Sequence, residues 1–227
     1  MNMNKLYLFI AAFATLMALC SCDRKAAEDT LRTGDLVFVG IPMDYSIEEG
    51  SIDEAITSAT GRSDELNLIH VSIAEVSADS TWIIDATIKH GVDRHPLDTF
   101  LTDFTLKDGS YPVFIIKRLN DPSKAEEFVR NAKKYLGQPY DVHFLPDNDS
   151  LYCSELVRDS YVGTDGSYVF DVAPMNFKGP DGEFPLYWKQ LFGLIGQSIP
   201  QDVPGTNPQD MSKSPAIHQV DVKLINN

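Results

Sequence analysis

Short apolar runs separated by polar or glycine-containing turns divide the first half of the chain. These runs occupy residues 34–40, 68–76, 81–88 and 111–119, and the polar Ser77–Ser80 separates the second run from the third. Apolar runs of this length with turn residues at their ends are typical of strands. The spacing predicts that the second and third runs pair as a β-hairpin.

Apolar residues three or four positions apart predict helices in four further stretches: 47–61, 123–136, 149–162 and 187–196. Ser123 and Glu126 have the spacing of a capping box, so we expect the second helix to begin there and to stop at Gly137. Strands mixed with helices predict an α+β domain, with a mostly antiparallel sheet and helices on one side.

The remaining pattern predicts how the domain is bounded. Residues 1–21 resemble a signal peptide, because an uncharged run of apolar residues follows Lys5 and is too short to span a membrane. Residues 22–32 are polar and predict a tether, and residues 33–162 form the main domain. Residues 163–227 are rich in Pro and Gly and predict a loop-rich C-terminal extension of the same domain.

The end of the signal peptide resembles a bacterial lipobox. Leu19 stands three residues before Cys22, and the small Ser21 stands directly before it, whereas Cys20 follows the bulky Leu19. We therefore expect a lipid anchor at Cys22 and a membrane-anchored protein of the cell envelope, periplasmic or surface-exposed. The alternative is a plain signal peptide with incidental cysteines.

The net charge of the chain gives information about its binding partners rather than about its fold. The chain has 227 residues, with 19 Lys and Arg against 33 Asp and Glu, for a formal net charge of -14. Such a surface repels nucleic acids, so we expect no nucleic-acid partner.

One cysteine, Cys153, lies beyond the first 22 residues and has no predicted disulfide partner. A lone cysteine is either a small buried hydrophobe or a reactive thiol. Asp149 and Ser150 are good helix N-caps, which would put Cys153 in the first helical turn. Free backbone amides there favour a thiolate, and the amides near Cys153 and Ser154 could bind an oxyanion.

A thiolate nucleophile needs a base, and His70 lies inside an apolar predicted strand. The alternative is a packed, hydrogen-bonded core histidine. Asp85 lies in the partner strand of the hairpin and can share a face with His70, because side chains alternate along strands. Glu75 is a rival, but its odd spacing from His70 places it on the opposite face.

The other histidines carry weaker signals. His218 is expected to be exposed in the polar tail, and His143 lies in a predicted loop. His90 and His95 flank a glycine-containing loop, where two surface histidines are favoured over a metal-binding pair. No metal or organic cofactor is predicted.

Taken together, four segments resemble one family. GDLVF, HVSI, an acid before Ala86-Thr87, and YCSELV are similar, in this order, to the YiiX-like group of permuted NlpC-type, papain-like cysteine hydrolases. The resemblance covers roughly residues 33–161. In the ordinary NlpC order the cysteine helix comes first, whereas here it comes last, as in a circular permutation.

The resemblance implies a circularly permuted papain-like fold, with the nucleophile helix packed against an antiparallel sheet. It implies Cys153 as nucleophile and His70 as base, with Asp85 where the group commonly has glutamate. Tyr140 matches a tyrosine that can help to bind the oxyanion, and packing is its alternative role. Ser72 stands where the group usually has glycine.

The resemblance further implies cofactor-free cleavage of an amide or ester bond through an acyl-enzyme. Related enzymes act on cell-wall peptides or on lipids and acyl chains, and residues 168–205 contain enough apolar side chains to line a pocket. Two alternatives stay open: an acyltransferase acting on lipids, and a non-catalytic, ligand-binding lipoprotein on the same fold.

Overall fold

The computed structural model describes residues 30–42, 45, 47–60 and 66–225. The predicted signal peptide, Cys22 and most of the predicted tether lie outside these residues. Among them the strands are β1 (Leu36–Pro42), β2 (Leu66–Ser77), β3 (Ser80–Thr87), β4 (Gly91–Pro96), β5 (Val113–Leu119), β6 (Ala173–Pro174), β7 (Pro204–Gly205) and β8 (Ile217–Val220). The helices are α1 (Ile52–Thr60), α2 (Leu97–Asp103), α3 (Ala125–Ala132), α4 (Cys153–Ser160), α5 (Leu186–Ile195) and α6 (Pro208–Met211).

Within the described residues, six strands form one antiparallel sheet in the order β4-β3-β2-β1-β5-β8. The predicted hairpin of β2 and β3 is confirmed, and Ser77 pairs with Ser80 across the turn. The α+β fold class is therefore confirmed. None of the described helices is long and apolar enough to cross a membrane.

The central strand β1 is buried on both faces, which explains its uninterrupted apolar sequence. Leu36 and Phe38 join one core with side chains from α3 and α4, whereas Val37 and Val39 join a second core that contains Phe100 of α2. Helices consequently cover both faces of the sheet, whereas the sequence suggested one side.

Two elements in residues 91–103 were not predicted, since the sequence suggested only a glycine-containing loop between His90 and His95. In the sheet of the described residues, β4 is an edge strand that pairs with β3, and α2 follows directly after Pro96. The polar residues of β4 hide the strand pattern, because an edge strand buries only part of its surface.

Two predicted helix starts are wrong. Asp121, rather than Ser123, begins the segment that leads into α3, because its Oδ1 accepts the Ser123 amide and starts a short 3-10 turn over Pro122–Lys124. Neither Asp149 nor Ser150 caps the cysteine helix, which begins at Cys153 itself. Ser150 instead donates its amide to Asn148 in the preceding loop.

The C-terminal region is packed into the domain. β8 pairs with β5 and supplies one edge of the sheet, while Gln209 Oε1 accepts the Leu68 amide of β2. α5 ends at Gly196, which adopts a left-handed conformation with φ 69°. Trp188 of α5 packs edge-on against Phe144, so this region also builds a wall beside the cysteine helix.

Candidate active site

Cys153 is the first residue of α4, and its thiol is free and buried. The chain before it is fixed by a short parallel bridge: the Asp141 amide donates to Leu151 O at 3.2 Å, and the Leu151 amide donates to Pro139 O at 3.1 Å. This bridge holds Tyr140 beside the start of the helix. The thiol therefore lies where helix amides are free to bind an anion.

His70 and Asp85 are brought together as the hairpin register predicts. Ala74 pairs with Ile83, and side chains at even spacing from these two residues lie on the same face. His70 Nε2 lies 2.8 Å from Asp85 Oδ2, and both side chains are buried. Phe104 packs on the imidazole with ring centroids 4.7 Å apart. The imidazole is thus held between a carboxylate and an aromatic ring.

His70 interacts with the Cys153 thiol as well as with Asp85. Burial alone would lower the His70 pKa, but the negative charge of Cys153 and hydrogen bonds to Asp85 and Cys153 outweigh it and raise the pKa to about 10. The imidazolium form is therefore favoured at neutral pH. A positive imidazole beside a thiol is the electrostatic setting of a nucleophilic thiolate.

Glu75 lies on the other face of β2, as its spacing predicted. Its carboxylate accepts a hydrogen bond from Arg94 Nε at 2.6 Å and pairs with Lys133. Ser72, at the position where the related group usually has glycine, donates its hydroxyl to Val37 O at 3.3 Å, which satisfies a polar group inside the sheet.

Tyr140 and Ser154 both lie beside Cys153, and their proposed roles remain predictions. Burial and the negative charge of Cys153 raise the pKa of Tyr140 well above its usual value, so the phenol stays protonated and can donate. Ser154 is fully buried, and its hydroxyl has no hydrogen-bond partner within the described part of the chain.

Two cavities meet at Cys153, and we call them the aromatic cavity and the histidine cavity. The aromatic cavity has a volume of about 250 Å³ and includes Phe144, Tyr152, Phe177 and Trp188 in its wall. The histidine cavity has a volume of about 310 Å³, and its wall combines His70, Asp53, Lys89, His90 and Asp103 with apolar side chains such as Ile56 and Phe104. Tyr140 and Cys153 border both cavities, but His70 borders only the histidine cavity.

Sequence reasoning missed Asp53 and misjudged His95. Asp53 is an acid in the first turn of α1, and its burial raises its pKa although the nearby His70 opposes that effect. Its polar surroundings in the sequence gave no sign that it borders a cavity. His95 is not a surface histidine, since only 7% of it is exposed, and its Nε2 lies 3.8 Å from Asp85 Oδ1.

The remaining histidines lie away from the thiol or bind other groups. His143 Nδ1 contacts Gln197 Oε1 at 2.6 Å, and the exposed His218 contacts Asn120. His90 lies 3.4 Å from Asp103, so His90 and His95 contact different carboxylates.

The sequence profile of one protein family, described as "Permuted papain-like amidase enzyme, YaeF/YiiX, C92 family", matches residues 30–221. The uncharacterized protein YiiX of Escherichia coli (strain K12) is 24% identical over 192 residues, which cover 83% of this chain and 85% of that protein. The circularly permuted papain-like fold expected from the sequence is thereby confirmed.

A solved structure of the metalloprotein yiiX from Escherichia coli O157:H7 superposes with a TM-score of 0.62 and 22% identity, covering 83% of this chain and 96% of that one. This likeness concerns the fold. Across the described ranges of the present chain, no group of three or more His, Cys, Asp or Glu side chains could hold a metal ion.

Proposed function

The chain belongs to the family of permuted papain-like amidases, and we propose that it is a thiol hydrolase that cleaves an amide (or ester) bond through an acyl-enzyme. Family membership supports an activity of the cysteine hydrolase type. One observation carries the assignment of residues: the buried His70 interacts with both Asp85 and Cys153, with 2.8 Å between His70 Nε2 and Asp85 Oδ2.

In the first half of the reaction, the Cys153 thiolate attacks the carbonyl carbon, and the negative charge moves to the carbonyl oxygen. The amides at the start of α4, beside Ser154, and the protonated Tyr140 phenol bind that oxyanion. His70 then gives its proton to the departing amine or alcohol as the C–N or C–O bond breaks. A thioester on Cys153 and a neutral His70 result.

In the second half, His70 takes a proton from water, and the resulting hydroxide equivalent attacks the thioester. Collapse of the second tetrahedral intermediate releases the acid and returns the thiolate–imidazolium pair. Asp85 holds the imidazole in orientation and stabilises its positive charge in both halves, as the acid of a triad does.

The two cavities indicate how a bound substrate is oriented. The leaving group must receive its proton from His70, and His70 borders the histidine cavity but not the aromatic one. We therefore place the leaving group in the histidine cavity and the acyl group in the aromatic cavity. An amide of a cell-wall peptide or an acyl-amide of a lipid fits this description.

Covalent labelling tests the proposal directly. Purified protein is treated with iodoacetamide and with a fluorophosphonate probe, and then with a panel of peptide amides and N-acyl amines of increasing chain length. We expect adducts on Cys153, none in Cys153→Ala, and slower labelling in His70→Ala. Labelling of Cys153 that is unchanged in His70→Ala would contradict the triad.

The same panel separates the alternative functions. A hydrolase releases the free acid, whereas an acyltransferase passes the acyl group to an added amine or alcohol. A binding lipoprotein would retain a substrate without turning it over. We favour hydrolysis because a protein that only binds ligands does not need a thiol, a protonated imidazole and a carboxylate in line.

For location, we propose lipidation of Cys22 and attachment to a membrane of the cell envelope. The proposal rests on Leu19 and Ser21 before Cys22, in the part of the chain outside the described residues. Several acyl chains anchor a protein stably. Cys22→Ser should move the protein out of the membrane fraction, and Cys20→Ser should not.

A further inference from the structure

Asp85 has an unused oxygen that points to a fourth group behind the triad. Its Oδ2 contacts His70, but its Oδ1 is buried and has no hydrogen-bond partner in the ranges that the structure describes. A carboxylate is costly to bury unless both oxygens are compensated. His95 lies near this oxygen, with 3.8 Å between its Nε2 and Asp85 Oδ1.

His95 is itself buried and lacks hydrogen bonds. Both of its ring nitrogens are without a partner among the described residues, although only 7% of the residue is exposed. Its Nδ1 lies 3.7 Å from Asp93 Oδ2. A displacement of roughly 0.6 Å would bring His95 Nε2 within hydrogen-bonding distance of Asp85 Oδ1, about 3.2 Å.

The sequence explains this arrangement. Ile83 of β3 pairs with His95 of β4, and Asp85 pairs with Asp93, so the three polar side chains share the face that also carries His70. Phe100 of α2 stacks on the His95 ring with centroids 6.3 Å apart. The result is a row of polar side chains, Asp93, His95, Asp85 and His70, that leads to Cys153.

We propose that His95 is a positioning residue that donates a hydrogen bond from Nε2 to Asp85 Oδ1 and thereby fixes the carboxylate against His70. His95 touches neither the thiol nor the substrate cavities. Its effect is indirect: a fixed Asp85 stabilises the His70 imidazolium, which in turn stabilises the thiolate. The inference rests on the proposed function, because it assumes that Cys153 and His70 form a reactive pair.

Other charged groups near His95 are accounted for. β4 is an edge strand in the described sheet, so only β3 lies beside it. On α2, Asp98 is exposed, and Asp103 is bound by Lys89 and His90. Asp85 and the half-exposed Asp93 are therefore the carboxylates that face His95.

The experiment measures the rate of Cys153 alkylation by iodoacetamide from pH 5 to 11. In the wild type, the profile should change near pH 10, where His70 loses its proton. In His95→Leu, we expect this upper transition to move down by about one pH unit and the rate at pH 7 to fall roughly threefold to tenfold. His95→Gln keeps a donor for Asp85 and should stay within about twofold of the wild type.

The controls separate positioning from packing. His218→Gln changes an exposed histidine and should leave the profile unchanged, and thermal melting of each variant reports any loss of stability. A purely structural role of His95 would lower the melting temperature without moving the upper transition. An unmoved transition in folded His95→Leu would overturn the proposal.

A second measurement needs no variant. Long-range ¹H–¹⁵N spectra of the wild type should show a proton on His95 Nε2, and an unprotonated Nε2 would also overturn the proposal. His70→Ala distinguishes the two levels of inference. If His70→Ala leaves the alkylation profile unchanged, the proposed function fails; if it alters the profile but His95→Leu does not, only the role of His95 fails.

Discussion

Two aspartates in this domain are equally buried but differently paired. Asp35 and Asp85 are each 1% exposed. Asp35 accepts hydrogen bonds from Arg118 on both oxygens at 2.7 Å, and a third from the Arg32 amide at 2.8 Å. Asp85 has one hydrogen bond, to His70, and one oxygen without a partner in the described structure.

This difference in pairing indicates a different role for each of the two aspartates. An arginine guanidinium stays charged at every accessible pH. The Asp35–Arg118 pair joins the start of β1 to β5, and Arg118 also donates to Thr30 O in the segment before β1. His70 can lose its proton, so Asp85 is paired with a group whose charge can change. A fully paired acid stabilises the fold, whereas an acid with a titratable partner and spare hydrogen-bonding capacity suits catalysis.

The largest effect is expected when Arg118, the partner of Asp35, is replaced. Arg118→Met keeps the length of the side chain but leaves Asp35 buried without a counter-charge. Removing one partner of a buried pair typically costs about 3–5 kcal/mol. We expect a loss of this size in the free energy of unfolding, measured by urea denaturation. Arg130→Met, which alters an exposed arginine on α3, serves as the matched control. Equal stability of the two variants would mean that Asp35 does not anchor the fold.

The second test concerns Asp85. Asp85→Asn removes the negative charge but keeps the shape, so the variant should fold with a stability close to that of the wild type. Without the carboxylate the His70 imidazolium is less stable, and we expect alkylation of Cys153 at pH 7 to slow about tenfold or more. Iodoacetamide kinetics and urea denaturation of the same sample measure both effects. A large loss of stability with unchanged alkylation kinetics would show that Asp85 stabilises the fold, as Asp35 does, and does not support the reactivity of Cys153.

The pairing of His70 with Asp85 could be predicted because it depends on local rules. A short polar turn fixed the hairpin register, and alternation along the strands placed the two side chains on one face while sending Glu75 to the other. The Cys153 helix was also predictable from its apolar spacing. Its start was not, because the bridge between Tyr140 and Leu151 decides where the helix begins, and that contact leaves no local signal.

The burial of His95 and the role of Arg118 were not predictable for a related reason. His95 lies in a polar edge strand that packs under α2, and α2 has only 7 residues, too few to show a helical periodicity in the sequence. Arg118 meets Asp35 across 83 positions in the sequence. Long-range contacts of this kind follow from the packed fold and not from periodicity.

A third acid extends the comparison, because Glu155 in α4 is partly buried and the nearby Arg158 compensates its charge only in part. Burial, followed by the nearby Asp141 and Asp159, raises the pKa of Glu155 to about 8. Between pH 4.5 and 8 the folded protein holds a proton that the unfolded chain has released, so Glu155 makes stability fall as the pH rises through this interval. Glu155→Gln should remove this slope.

We expect Glu155→Gln to be more stable than the wild type at pH 9 and much closer to it at pH 4, because glutamine keeps an acceptor for the Tyr152 amide. Urea denaturation at the two pH values measures the difference. Glu126→Gln, at an exposed position on α3, is the control and should show no such pH-dependent gain. A Glu155→Gln variant that loses stability at pH 9 would show that the carboxylate is needed in its charged form.

The smallest effect is expected at Glu75, the acid that shares β2 with His70 but lies on its other face. Burial tends to raise the Glu75 pKa, but hydrogen bonds from Arg94 and Lys133 outweigh this and lower it. The stabilisation they give is therefore present above the unfolded pKa near 4.5 and is lost as the pH falls through the lower folded value.

Since ion pairs at the surface contribute about 0–1 kcal/mol, Glu75→Gln should change the free energy of unfolding at pH 7 by no more than that. It should leave Cys153 alkylation within about twofold of the wild type, because the charge lies across the sheet from the imidazole. Running it beside Asp85→Asn tests the register of the hairpin itself: if Glu75→Gln slows alkylation more than Asp85→Asn does, the functional face of β2 has been assigned to the wrong side of the sheet.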